Sequence, residues 1–338
     1  MRVLRQSFPR LAAFAIAATA AFLVPSGKGA QSFDVLRLEN TIFLPGVQGR
    51  IDHMSYDAGS GRLFVAALGN NTVEVIDTKQ VKRIHSISGL HEPQGVLYLA
   101  DVNRLYVANG HNGTLQIFEA SSYQLLKTVS LGSDADNVRF DSARKEIYVG
   151  YGAGALAILR EDGSKIGDIT LDAHPESFQL EKSGSRIFVN LPNSRKIAVV
   201  DRNTRKVIAN WTTGQALSNF PMALDEKDHR LFIVCRKPAE MIVLDTNTGA
   251  VVATLPTVND CDDIFYDAPS KRLYASGGEG SVSVFEQQSP DHYTELGNII
   301  TRKGARTSFL SPESHALYVA ARAQGSAAAA TYVYAVQR

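Results

Sequence analysis

Four acids in this chain stand where chemistry is plausible: Asp52, Asp136, Glu176 and Asp262. Each is followed at once by another polar residue, His53, Asn137, Ser177 and Asp263. Carboxylates beside an amide form a donor set for a hard divalent cation such as Ca²⁺, and an added imidazole shifts the preference toward Zn²⁺ and its neighbours. A cation so held polarises a carbonyl and acidifies a bound water, while a free carboxylate or histidine moves the proton. His53, and His174 with Glu176 in the HPES stretch at 174–177, are the candidate proton carriers. Other chemistries lack their signatures. No GxSxG surrounds Ser177 or Ser308, no glycine-rich run matches a phosphate loop or dinucleotide fingerprint, and neither cysteine lies in a CxxC.

The elements that position these residues are repetitive. A short phrase recurs with starts at Arg62, Arg104, Glu146, Arg186, Arg230, Arg272 and Ala316: RLFV, RLYV, EIYV, RIFV, RLFI, RLYA and ALYV. The spacings are 42, 42, 40, 44, 42 and 44 residues. Before the phrase comes a short apolar alternation that closes on an acid at Asp57, Asp141, Glu181, Asp225 and Asp267. After it come a loop, a third strand such as TVEVID or KIAVVD, and a less regular fourth. Four strands in a unit of this length are the period of a β-propeller blade, and helical periodicity is absent beyond the N-terminal segment. The expected fold is all-β: seven blades of four antiparallel strands. The last repeat lacks a fourth strand, and DVLRLENTIFLPG at 34–46 supplies one. This three-plus-one closure removes two open sheet edges.

LYVANG at 105–110 with TLQIFE, and LFVAALGNNTVEVIDT at 63–78, resemble the YVTN-type, YncE-like propeller repeats. The resemblance spans residues 31–338 and implies the fold; the family and its relatives carry many activities or none known. Propeller lactonases of the gluconolactonase type hold a divalent cation at the channel mouth through Glu, Asn and Asp from different blades. This chain is similar to them in architecture and in offering Glu176, Asn137 and Asp262 or Asp263 near that place.

Aligning the repeats ten residues before each phrase gives Asp52, Gln94, Asp136, Glu176, Phe220, Asp262 and Arg306. In a propeller this is where the chain enters the innermost strand, at the mouth of the central channel. Turn geometry accounts for Asp134 and Asn137, but not for Glu, Gln and Arg at equivalent places. Ring order sets Arg306 between Asp262 and Asp52, as a salt-bridge clamp over the closure. Asp136 and Glu176 are adjacent and have no basic ring neighbour, so one must take a proton or a cation must lie between them, unless water in the channel solvates both. The candidate metal ligands are therefore Asp136, Asn137, Glu176, Asp262 and Asp263. The candidate ligand-binding set is Asp52, Gln94, Asp136, Asn137, Phe220 and Arg306. Three readings stay open: a propeller binding a small polar molecule or a protein at the mouth, a metal-assisted hydrolase with one divalent cation (Ca²⁺ before Zn²⁺), and a non-catalytic interaction scaffold.

Residues 1–30 read as a signal peptide: Arg2, Arg5 and Arg10 precede an apolar, alanine-rich run and then small residues, with cleavage at 26–30. The expectation is an exported, periplasmic or extracellular monomer, with one propeller domain over 31–338 and no membrane span. Without the leader, 31 basic residues face 34 acidic ones, a charge of about −3 that gives no reason to expect nucleic acid. An oxidising compartment leaves a Cys235–Cys261 disulfide open, as it does two separate core thiols.

Overall fold

The computed structural model describes residues 35–337; the expected signal peptide lies outside them. The described chain forms seven four-stranded antiparallel sheets. Their first strands are Met54–Asp57, Pro93–Leu99, Val138–Asp141, Phe178–Leu180, Leu217–Asp225, Cys261–Asp267 and Thr307–Ser311. Each first strand touches the first strands of the blades on both sides, and blade 7 touches blade 1, so the seven form a closed inner ring. Among the described residues no helix is long and apolar enough to cross a membrane.

Burial explains the strand patterns. The recurring phrase forms the second strand, as in Arg62–Ala67, where every residue after the arginine is buried. It lies inside its sheet with a blade on each face, so its apolar residues run continuously. The fourth strand, as in Lys206–Thr212, faces solvent on one side and alternates. Closure follows the expected three-plus-one pattern. Leu36–Leu44 pairs antiparallel with Ala329–Val336, from Leu36 opposite Val336 to Leu44 opposite Ala329. The run GSAAAA at 325–330, which reads as a loop, ends inside this strand. Ala329 and Ala330 are buried and face Leu44 and Phe43, and the Ala329 methyl group packs in one cluster with Ile42 and Leu44.

In five of the seven blades the arginine that opens the repeated phrase ties its blade to the next. Arg62 bonds the carbonyl of Ala120, Arg104 that of Glu161, Arg186 that of Thr246, Arg230 that of Pro290 and Arg272 that of Gln337. Two of these guanidiniums also hold the acid that closes their own first strand: Arg62 holds Asp57 at 2.9 Å and Arg186 holds Glu181 at 2.5 Å. Blade 2 has Leu99 in place of that acid. Blade 3 has Glu146 in place of the arginine, and its seam is reversed. Buried Arg202 of blade 4 reaches back to Asp141 at 2.5 Å and also bonds the carbonyls of Glu181 and Gly184.

Cys235 and Cys261 are free, fully buried thiols in two different core clusters. Burial pushes both thiol pKa values up, Cys235 to about 12, which keeps them protonated and inert.

Arg202→Ala removes the buried partner of the Asp141 carboxylate and leaves it the more exposed Arg144 at 3.3 Å. It should cost about 1.5–3 kcal/mol in urea unfolding, the worth of charge-assisted hydrogen bonds; a loss below about 1 kcal/mol, the worth of an exposed pair, would show that the seam does not depend on it.

Candidate active site at the channel mouth

The inner ring begins with a repeated irregularity. The Asp52 amide and the His53 carbonyl both pair with Ala66, the Asp136 amide and Asn137 carbonyl with Gly150, and the Glu176 amide and Ser177 carbonyl with Asn190. Two residues of the first strand thus face one of the second, the arrangement of a β-bulge. Register shifts fall at the same place in blades 2, 5 and 6. The bulge fixes the backbone of the mouth residues by ladder hydrogen bonds, which preorganises their side chains. At Gly95 an added Cβ would lie 2.2 Å from the Asp136 carbonyl oxygen, so only glycine lets blades 2 and 3 approach this closely.

All seven aligned positions, Asp52, Gln94, Asp136, Glu176, Phe220, Asp262 and Arg306, line one cavity of about 650 Å³. Its walls differ in electrostatic balance. On the side of blades 5, 6, 7 and 1 every carboxylate has a cation. Asp262 is gripped by both Arg236 and Arg306, and Asp260 lies 3.0 Å from Arg306 and 3.4 Å from Arg236. Asp52 lies 3.3 Å from Arg50. The clamp expected of Arg306 therefore exists, but it closes on Asp262 and Asp260 rather than on Asp52. Phe220 lies under the Arg236 guanidinium, 4.0 Å from ring centroid to carbon.

The side of blades 2 to 4 is not balanced. Asp136, His174 and Glu176 present ligand atoms within 4.8 Å of one another. Burial, and then the facing Glu176, raises the Asp136 carboxyl well above the usual range. Burial, with Asp262 and Asp52 across the cavity, pushes Glu176 up to about 7. The His174 Nδ1 lies 2.6 Å from the Gly152 carbonyl, so it donates there and leaves Nε2 as the free ring acceptor. A backbone carbonyl holding one ring nitrogen is the usual support of a metal-ligating histidine. Asn137, 1% exposed, sets its Nδ2 3.4 Å from Asp136, and its Oδ1 has no hydrogen-bond partner. Asp134, which turn chemistry explains through its positive φ, also faces this side: its carboxylate is 3.6 Å from His174 and accepts from Gln94 at 3.4 Å.

The five residues expected as metal ligands thus separate. Asp136, Asn137 and Glu176 stay together and gain His174. Asp262 is held by its two guanidiniums. Asp263 sits one step deeper, accepting the Ser308 amide at 2.8 Å and lying 3.5 Å from His53 Nδ1. His53 also lies 3.7 Å from Asp52. Burial works against its charge, but Asp263 and Asp52 outweigh it and push the imidazole up to about 10. The two carboxylates thus favour the charged imidazole, which suits His53 to bridging them more than to carrying a proton near neutrality. Arg236 and Arg50 escape the ring alignment. Arg236 is visible another way: six residues after each phrase start the chain reads Leu68, Gly110, Gly152, Pro192, Arg236, Gly278 and Arg322, so it stands out among mostly small or apolar residues.

The comparisons with known proteins agree with this architecture. No known family profile matches the chain. The "Uncharacterized protein YncE" of Salmonella typhimurium and that of Salmonella typhi are each 22% identical over 225 residues, a match that covers 64% of this chain and 62% of theirs. Among solved structures, a chain of "Kuenenia stuttgartiensis Hydrazine Synthase" superimposes with a TM-score of 0.70 at 15% identity, over 82% of this chain and 95% of that one. A chain of "Crystal Structure of Mitotic Checkpoint Complex" reaches 0.75 at 16% identity, over 98% and 99%. Those two likenesses establish the propeller fold alone. The weak YncE homology together with seven blades supports a YncE-like propeller family.

Two predictions follow from the charges. Glu176 carries a raised pKa, so the folded state holds its proton more tightly than the unfolded one and loses stability as pH climbs from 4.5 to about 7. Glu176→Gln should stabilise the metal-free protein by about 1–3 kcal/mol above neutrality, with the gain vanishing toward pH 4.5 in melting scans; a gain independent of pH would contradict this. His53 has the opposite sign: its contribution is complete below pH 6.5 and is lost as pH rises through about 10. His53→Gln should cost about 2–4 kcal/mol in mild acid and clearly less at alkaline pH, and equal urea midpoint shifts at both would refute the ion pair.

Proposed function

We propose that the channel mouth binds a small polar ligand around one divalent cation held by Asp136, His174 and Glu176, in a protein exported by its leader-like first thirty residues. The observation that carries this reading is the clustering of three ligand atoms within 4.8 Å on the one wall whose carboxylates have no arginine. Two like charges at this distance need a proton or a cation between them. The imidazole moves the preference from Ca²⁺, which favours all-oxygen shells, toward Zn²⁺ or a similar ion. The opposite wall, with Arg306 and Arg236, suits the polar groups of a bound molecule.

A second reading, metal-assisted hydrolysis of an ester or lactone, draws support from Glu176. A carboxyl pushed up to about 7 is poised to take and return a proton near neutrality. In that case the cation would polarise the carbonyl and Glu176 would shuttle the proton of the attacking water.

Elemental mass spectrometry of the purified protein should find close to one transition-metal ion per chain. The double variant Asp136→Asn/Glu176→Gln should lose it, and affinity for added Zn²⁺ should fall as pH drops below 7 because the ligands protonate. Metal-free protein whose melting is unmoved by Zn²⁺ or Ca²⁺ would remove the cation. Ester turnover that survives Glu176→Gln would remove the hydrolytic reading.

A further inference from the structure

Below the mouth the channel opens into a second chamber of about 350 Å³, bordered above by His53 and Asp263. Most of its wall is apolar, including Val96, Leu224, Ile264, Phe265 and Phe309. Into this chamber the innermost strand of blade 3 places Arg139. The guanidinium has one hydrogen bond, from Nη1 to the carbonyl of its neighbour Val138 at 2.9 Å, and its carbon lies 5.6 Å from the Phe178 ring centre. No carboxylate lies within 4.0 Å of it among the described residues, whereas every arginine of the mouth and Arg62, Arg186, Arg202 and Arg230 of the seams have one. Asp263, the nearest acid of the chamber wall, is already engaged by the Ser308 amide and His53.

Two serines of the wall can donate: Ser55 Oγ accepts from the Tyr98 amide and Ser308 Oγ accepts from Ser276, so both hydroxyl hydrogens are left to give, while Gln179 gives its Nε2 to the Met222 carbonyl and Tyr266 its hydroxyl to Gln287. A planar fork of unpaired N–H groups above an apolar wall matches a carboxylate on a compact apolar body. We propose that this lower chamber is an anion site, distinct from the mouth, that takes a small monocarboxylate with Arg139 as its anchor and the apolar wall around its hydrocarbon part. The carboxylate would supply a directly hydrogen-bonded partner where the protein gives this arginine only the longer-range charges of Asp263 and Asp136. The inference does not depend on the cation at the mouth.

Calorimetric titration of the full protein with benzoate, benzamide and inorganic phosphate tests it. Benzoate should bind at least tenfold more tightly than its neutral isostere benzamide, and more tightly than phosphate, which has no apolar part. Arg139→Gln, checked for native circular dichroism, should lose at least tenfold in benzoate affinity, while Asp136→Asn/Glu176→Gln, which removes a negative charge acting on Arg139, should bind benzoate at least as tightly as the wild type. Equal affinity for benzoate and benzamide on the wild-type protein would overturn the proposal without any variant. So would the absence of binding by all three probes. Benzoate affinity lost with the mouth variant but kept in Arg139→Gln would place the anion at the mouth instead.

Discussion

A ring of seven sheets has to close, and everything at its centre depends on how each sheet is fixed to the next. Packing of apolar faces supplies the bulk of that attachment, but it is not directional. Direction comes from charge-assisted hydrogen bonds across the seams. An arginine at the start of the second strand reaches a carbonyl of the following blade in five blades, and Arg202 reaches back where blade 3 lacks one. With the blades so indexed, equivalent residues of different blades meet at one height around the axis. Residues far apart in sequence then become a single site.

The mouth that results is divided by charge. Blades 5, 6, 7 and 1 bring arginines and aspartates in matched numbers, and their pairs lock the region where the ring closes. Blades 3 and 4 bring Asp136, Glu176 and His174 with no guanidinium. Burying two carboxylates without a cation is unfavourable, and the fold nevertheless fixes both backbones by bulge hydrogen bonds. Stability alone does not account for such an arrangement. The cation proposed for the mouth would account for it, as the carboxylate proposed lower in the channel would for Arg139, which has no ion pair among the described residues.

Much of this was legible in the sequence, because repetition is. The phrase from RLFV to ALYV marks the second strand of each blade, and counting ten residues back names seven residues that line one cavity. The closing strand was legible because the last repeat is one strand short. What escaped comes from positions that the alignment does not index. Arg236 enters from the far end of a second strand, and Arg50 from the connection that precedes blade 1. Arg139 lies within VRFD, whose alternation reads as a half-buried strand and says nothing of the chamber beside it. The two cysteines show the same limit: their blades are adjacent, but only packing shows that each sits in its own core cluster.

The central claim is that the protein holds Glu176 beside Asp136 with no ion pair to either carboxylate among the described residues and only longer-range charge, chiefly that of His53, to offset them. The most direct measurement is the ionisation of Glu176 itself, followed by carbon-13 NMR of side-chain carboxyl-labelled glutamate, with the resonance assigned by its loss in Glu176→Gln. In metal-free protein the carboxyl should titrate near 7, and addition of Zn²⁺ should drive its titration well below that. Titration at the ordinary glutamate value near 4.5, unchanged by metal, would contradict the account.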